Sequence, residues 1–132
     1  MFTDFFIAKI CEAEAIAQSD VDKWKLLTLH GIAEMELIEL SKTLRGGMHH
    51  RPALAFEDGE SECYVLAMEP GLVSMLAGLS EPQIPDMAKE WSKAECFVGI
   101  PCTEIEPMLQ SLVAFAQESE RSELQILYVT AI

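Results

Sequence analysis

The sequence predicts an α+β fold: a small sheet containing both terminal strands, packed against several helices that include a long central one. Three observations carry this. Residues 2–10 are rich in Phe and Ile, residues 124–132 are rich in β-formers such as Tyr128 and Val129, and the segments between repeat apolar residues at helical spacing. Helices and strands do not alternate regularly, which argues against a parallel α/β sheet. At 132 residues, half of them apolar, the chain has the size of a single globular domain over residues 1–132.

Taken in order, Phe5-Phe6-Ile7-Ala8 is a continuous apolar run, which suits a strand covered on both faces. Residues 12–18 read as a short helix of Ala, Glu and Ile, broken at Ser19-Asp20. Residues 21–44 predict the long central helix. Leu26, Leu29, Ala33, Leu37, Leu40 and Leu44 recur every three or four residues, and Trp24, Leu27, Met35 and Ile38 form a second stripe. Asp20 or Asp22 supplies its cap, Gly46-Gly47 its stop, and Gly31 marks close packing or a break. Residues 54–57 and 62–68 predict a hairpin joined through Asp58-Gly59. A helical turn or two follows over residues 72–79, then a helix over residues 85–94. Thr103 to Glu106 has capping-box spacing at the start of a last helix. Leu29, Leu37, Leu40, Trp91, Leu112 and Phe115 lie on apolar faces and form the expected core.

Charge excludes more than it identifies. The chain carries 22 Asp and Glu against 9 Lys and Arg, a formal charge of −13. No Lys or Arg occurs over residues 52–88 or 94–120, and Lys42, Arg45 and Arg51 are too few to hold a phosphate backbone, so nucleic acid is not an expected partner. A basic protein is electrostatically favoured. No apolar run reaches the ~18 residues of a membrane span. The amino-terminal run lacks a basic region and is interrupted by Asp4, so no export signal is expected and the location is cytoplasmic. Cys11, Cys63, Cys96 and Cys102 then read as reduced thiols, three of them in apolar runs and buried.

One polar constellation stands out. On a continuous helix, His30 and Glu34 lie four apart on one face, with Lys23 and Ser41 on the same strip and His49 and His50 in the following loop. A His/Glu group of that kind serves proton transfer or holds a divalent ion; the competing reading is a solvated pair beside a solvated loop. No second ligand pair at recognisable spacing supports a metal, and no cofactor is expected. Cys102 precedes a helix start, where a thiolate is stabilised, but no motif activates it. The acidic run over residues 57–62 lacks the order of a calcium loop and reads as a hairpin tip.

Three segments resemble the YfbM-like family of small bacterial proteins. Thr3-Asp4-Phe5-Phe6-Ile7-Ala8 is similar to its opening strand, Asp20-Val21-Asp22-Lys23-Trp24 with Leu29-His30-Gly31 is similar to its Asp-x-Asp-Lys segment and later Leu-His, and the ending is similar to its helix-then-strand close. That family has no established activity, so the resemblance implies a fold and no reaction. The expected function is a small acidic, non-enzymatic protein-binding or regulatory module of the immunity type, with a basic protein as partner. The alternative is a small enzyme or metal-binding protein using His30, Glu34, His49 and His50.

Overall fold

The two terminal segments pair with each other along their whole length. In the computed structural model, which describes residues 2–18, 23–45, 53–59 and 63–131, β1 (Phe2–Ala8) runs antiparallel to β5 (Gln125–Ala131), from Phe2 opposite Ala131 to Ala8 opposite Gln125. β2 (Lys25–His30) flanks β1 on its other side. β4 (Cys63–Ala67) joins β5, and β3 (Ala53–Asp58) pairs with β4 as the expected hairpin. The sheet order is β2-β1-β5-β4-β3, antiparallel throughout. The fold is α+β with both terminal strands in one sheet.

Among the described residues five α-helices complete it: α1 (Ala13–Ala17), α2 (Glu34–Arg45), α3 (Pro70–Ala77), α4 (Gln83–Trp91) and α5 (Cys102–Ser122). β1 is buried on both faces, as its unbroken apolar run requires. Phe5 and Ile7 pack with Leu37, Leu40, Leu72 and Leu112 in the main core, formed with α2 to α5. Phe6 and Ala8 point the other way, into a smaller cluster with Ala13 and Ile16 of α1. Trp24 closes that cluster edge-on to Phe6, at 6.3 Å. Its indole N–H donates to Glu12 Oε2 at 3.0 Å, while Glu12 Oε1 accepts the Lys9 backbone N–H at 2.8 Å.

The six expected core residues are all buried. The fully enclosed Trp91 ties two of the helices together. Its indole N–H donates to the Glu36 carbonyl at 2.9 Å, tying α4 to α2, and Phe97 meets its ring edge-on at 5.0 Å.

The continuous helix expected over residues 21–44 is not formed. Residues 25–30 are the edge strand β2, and the helix begins only at Glu34. The leucine spacing is degenerate here. Leu27 and Leu29 also satisfy a two-residue period, and they turn to the main core when the segment pairs with β1. Long-range pairing then overrides local helix preference. Gly31 makes the break with φ at +77°, a backbone conformation that costs glycine little. Ala33 caps the helix that follows: its carbonyl accepts the Leu37 N–H, and the Glu36 carboxylate returns to its N–H at 3.2 Å. The Gly46-Gly47 stop lies outside the described residues.

Two helix starts also shift. α4 begins at Gln83, with Pro85 in its first turn, where a missing N–H leaves no bond unmade. α5 begins at Cys102 after Pro101, so Thr103 lies inside the helix and does not cap it. The long helix of the fold is therefore this carboxy-terminal one. It ends at Glu123 in the left-handed conformation, with the Leu124 N–H on the Ser119 carbonyl.

Leu37→Ala should cost about 2–5 kcal/mol in a denaturant titration, because Leu37 is 0 % exposed. Met35→Ala, two residues away and 58 % exposed, should cost less than about 0.5 kcal/mol. The two hydrogen bonds to Glu12, from the Lys9 backbone and then Trp24, hold its carboxyl below the ordinary 4.5. A depressed carboxyl stabilises the fold above that ordinary value and loses its contribution as pH falls through the lowered one. Acid unfolding curves of the wild type and Glu12→Gln should accordingly be separated above about pH 5 and converge as the pH falls through the lowered value.

Candidate functional site

A cleft opens where β4 and β5 part. In an antiparallel ladder every second residue turns its N–H and C=O to the same neighbour. The Met68 N–H bonds the Ile126 carbonyl at 2.9 Å. Leu66 then faces Tyr128, and that pair is made, beside Ala67 with Leu127. Two residues further, Tyr64 and Thr130 come next in line, and the ladder has stopped before them. The opening measures about 630 Å³ and is lined by Ala33, Glu34, Cys63, Tyr64, Leu66, Val129 and Thr130.

Each wall has a local cause. Tyr64 and Leu66 share a face of β4 by strand alternation, and Leu54, opposite Leu66 on β3, extends that face outward. Tyr64 is 48 % and Leu54 53 % exposed, so an apolar shelf borders the opening. Glu34 enters because Gly31 turns the chain from β2 into α2, bringing the first helical residue to the rim. Thr130 is fixed from behind: Thr3 Oγ1 lies 3.0 Å from Thr130 Oγ1, and the Thr3 hydroxyl also donates to the Ile32 carbonyl. Tyr128 lies buried in the adjoining core. Burial, and then the negative charge of Glu34, push its phenol above the ordinary range for tyrosine. Among the described residues no Lys or Arg lines the cleft.

The structure does not bring His30 and Glu34 together. Helical spacing was the reason to pair them, and His30 is the last residue of a strand. It lies opposite Phe2, its exposed ring 5.9 Å from the Phe2 ring, on the sheet face that Asp4 shares. Glu34 opens the helix packed over the opposite face, and no hydrogen bond joins the two. Lys23 precedes the strand and so shares no helix strip with Ser41. His49 and His50 lie outside the described residues. Among the described residues, no group of three or more His, Cys, Asp or Glu side chains is placed to hold a metal ion.

The cysteines are free, and none is fully buried: Cys11 is exposed, and Cys63, Cys96 and Cys102 are intermediate. The expected burial fails because these residues sit at element ends. Cys63 begins β4, Cys102 begins α5, and Cys96 lies in a 3-10 turn between α4 and α5. Burial, then the carboxylates of Glu36 and Glu39, push the Cys96 thiol up.

A smaller hollow of about 200 Å³ lies between α3 and the end of α5. Three of its polar side chains are already engaged: the Ser119 hydroxyl donates to the Leu124 carbonyl at 2.7 Å, and Ser74 reaches Glu120 at 3.4 Å. The β4–β5 cleft is the stronger site, combining an exposed aromatic ring, a carboxylate and strand backbone outside the ladder. Of its residues, the sequence singled out Glu34, for a different reason. Tyr64 and Thr130 carry no motif.

No protein-family model matches the chain, and no curated protein or solved structure shows significant similarity to it.

Alkylation followed by mass spectrometry should label Cys11 first and Cys96 last at pH 7.5, since the thiolate is the reacting form. Glu39→Gln should speed the Cys96 reaction by removing one of the charges that oppose its ionisation.

Proposed function

We propose that this protein is an acidic, non-enzymatic binding module that regulates or neutralises a basic protein partner, in the manner of an immunity protein. The observation that carries the reading is the charge of −13 together with how its cations are used. Lys25 and Arg121 both pair with Glu118, Lys42 pairs with Glu39 at 3.2 Å, and Lys93 pairs with Glu90 at 2.9 Å. Among the described residues these four positive charges are thus answered by carboxylates, and the carboxylate excess is left to face outward. A field of that sign speeds the approach of a cationic protein and repels phosphate. Free cysteines suit a bacterial cytoplasmic setting. Among the described residues no helix is long and apolar enough to cross a membrane. The alternative, a small enzyme or metal protein built on His30, Glu34, His49 and His50, gains nothing from the geometry of its described members.

The test is association measured against ionic strength. Affinity capture from the source cell, followed by calorimetry on the purified pair, should give a stoichiometric complex with a protein of pI above about 9. Its affinity should fall at least roughly tenfold between low and high salt as the Debye length shrinks from about 30 Å toward 3 Å. A stoichiometric partner that is neutral or acidic, or one bound equally at both salt concentrations, overturns the reading.

A further inference from the structure

We infer that the cleft between β4 and β5 is the seat of an extended segment of the basic partner, one that places a Lys or Arg beside Glu34 and an apolar side chain against Tyr64 and Leu66. This rests on the proposed reading of the protein as a binder of basic proteins, and it names the site and the conformation of what is bound.

Three independent features converge. The first is backbone. Tyr64 on β4 and Thr130 on β5 turn their N–H and C=O toward the seam by the alternation of the ladder, but are not paired with each other. Strand backbone held open in this way is met by another strand, which recognises main chain and leaves specificity to alternate side chains. The second is side-chain chemistry. An extended segment puts successive side chains on opposite faces. On the helix-covered face it meets Glu34, and beside it the ring of Tyr64 and the flank of Leu66, continued by the exposed Leu54. A carboxylate and an aromatic ring at one mouth suit a guanidinium or ammonium whose aliphatic stem lies on apolar surface. The third is charge. Among the described residues the cleft has no cation of its own, in a chain of net charge −13, so an anionic or phosphorylated segment is repelled and a cationic one attracted.

The sheet's outer edges are poorer candidates. β3 carries a bulge between Leu54 and Phe56, which disrupts regular pairing, and Lys25 on β2 is engaged by Glu118 at 3.5 Å. The seam is the remaining opening among the described strands, and it sets Glu34 beside an exposed aromatic ring.

Cys63 lines the cleft and provides a built-in reporter. The experiment uses the full chain and a soluble peptide of about six alternating Lys and Val residues, matched to a strand length. The peptide should slow alkylation of Cys63 roughly tenfold at saturation and leave Cys11 unchanged. Glu34→Gln should weaken peptide binding by about fivefold or more, as loss of a charged partner does. Glu81→Gln, the same charge change at an exposed residue ahead of α4, should leave it within about twofold. A peptide N-methylated at alternate amides should lose binding, because it cannot complete the ladder. Tyr64→Thr should lose the ring contact while keeping the unfolding midpoint, since the side chain is half exposed. Equal weakening by Glu34→Gln and Glu81→Gln, or peptide binding that leaves Cys63 unprotected, overturns the cleft as the seat while the charge-driven reading stands. If the protein alone shields Cys63 as its concentration rises and sediments as a dimer, the occupant is a second copy, and the inference falls. Loss of a salt-dependent basic partner, with the peptide still protecting Cys63, instead overturns the proposed function and leaves a peptide-binding seam.

Discussion

Everything in this fold hangs on the ladder between β1 and β5. It joins the first and last elements of the chain, and the side chains on its two faces floor both hydrophobic clusters. Phe5, Ile7, Ile126 and Tyr128 face the four larger helices; Phe6, Ala8 and Leu127 face α1. Burying a Phe or Ile side chain is worth about 1.5–3 kcal/mol, and both strands spend theirs on shared neighbours. Thr3 extends the tie sideways, linking Thr130 on β5 to the Ile32 carbonyl that precedes α2. Loss of register by one residue would turn the apolar set of β1 toward the wrong cluster.

Where sequence legibility ends follows from the same dependence. β1 and β5 were readable because a strand buried on both faces needs an unbroken apolar run, and few other structures do. The β3–β4 hairpin was readable from Asp58-Gly59. Residues 25–30 were not, because Leu26, Leu27 and Leu29 fit a helix stripe and a strand face equally well, and only pairing with β1 decides between them. That error propagated to the site, since His30 and Glu34 are neighbours only on a helix. The cleft itself was hidden more deeply. It exists because the β4–β5 ladder ends after two pairs, and ladder length is a property of how the hairpin sits on the sheet, with no local residue signal.

The distribution of charge and of open backbone are connected. A protein with 22 carboxylates must keep most of them in water, since unpaired buried charge is prohibitively costly. The exception among the described residues shows the rule: the buried Glu36 carboxylate is bonded to the Ala33 N–H at the start of α2. Glu34, two residues earlier, is left outward at a gap in the sheet. The same short helix start thus uses one acid to hold itself and offers another to whatever approaches.

The central ladder also has a consequence for biogenesis. A ribosome adds about 5–20 residues per second, and the strand that completes the middle of the sheet is made after β1 to β4. For roughly ten seconds the nascent chain carries Phe5, Phe6 and Ile7 with no strand to pair on that side. The β3–β4 hairpin is joined by local contacts, whereas closure of the sheet waits for Gln125–Ala131 to clear the exit tunnel. The decisive step of folding therefore waits on β5, and in that window the exposed amino-terminal strand is what a nascent-chain chaperone would shield.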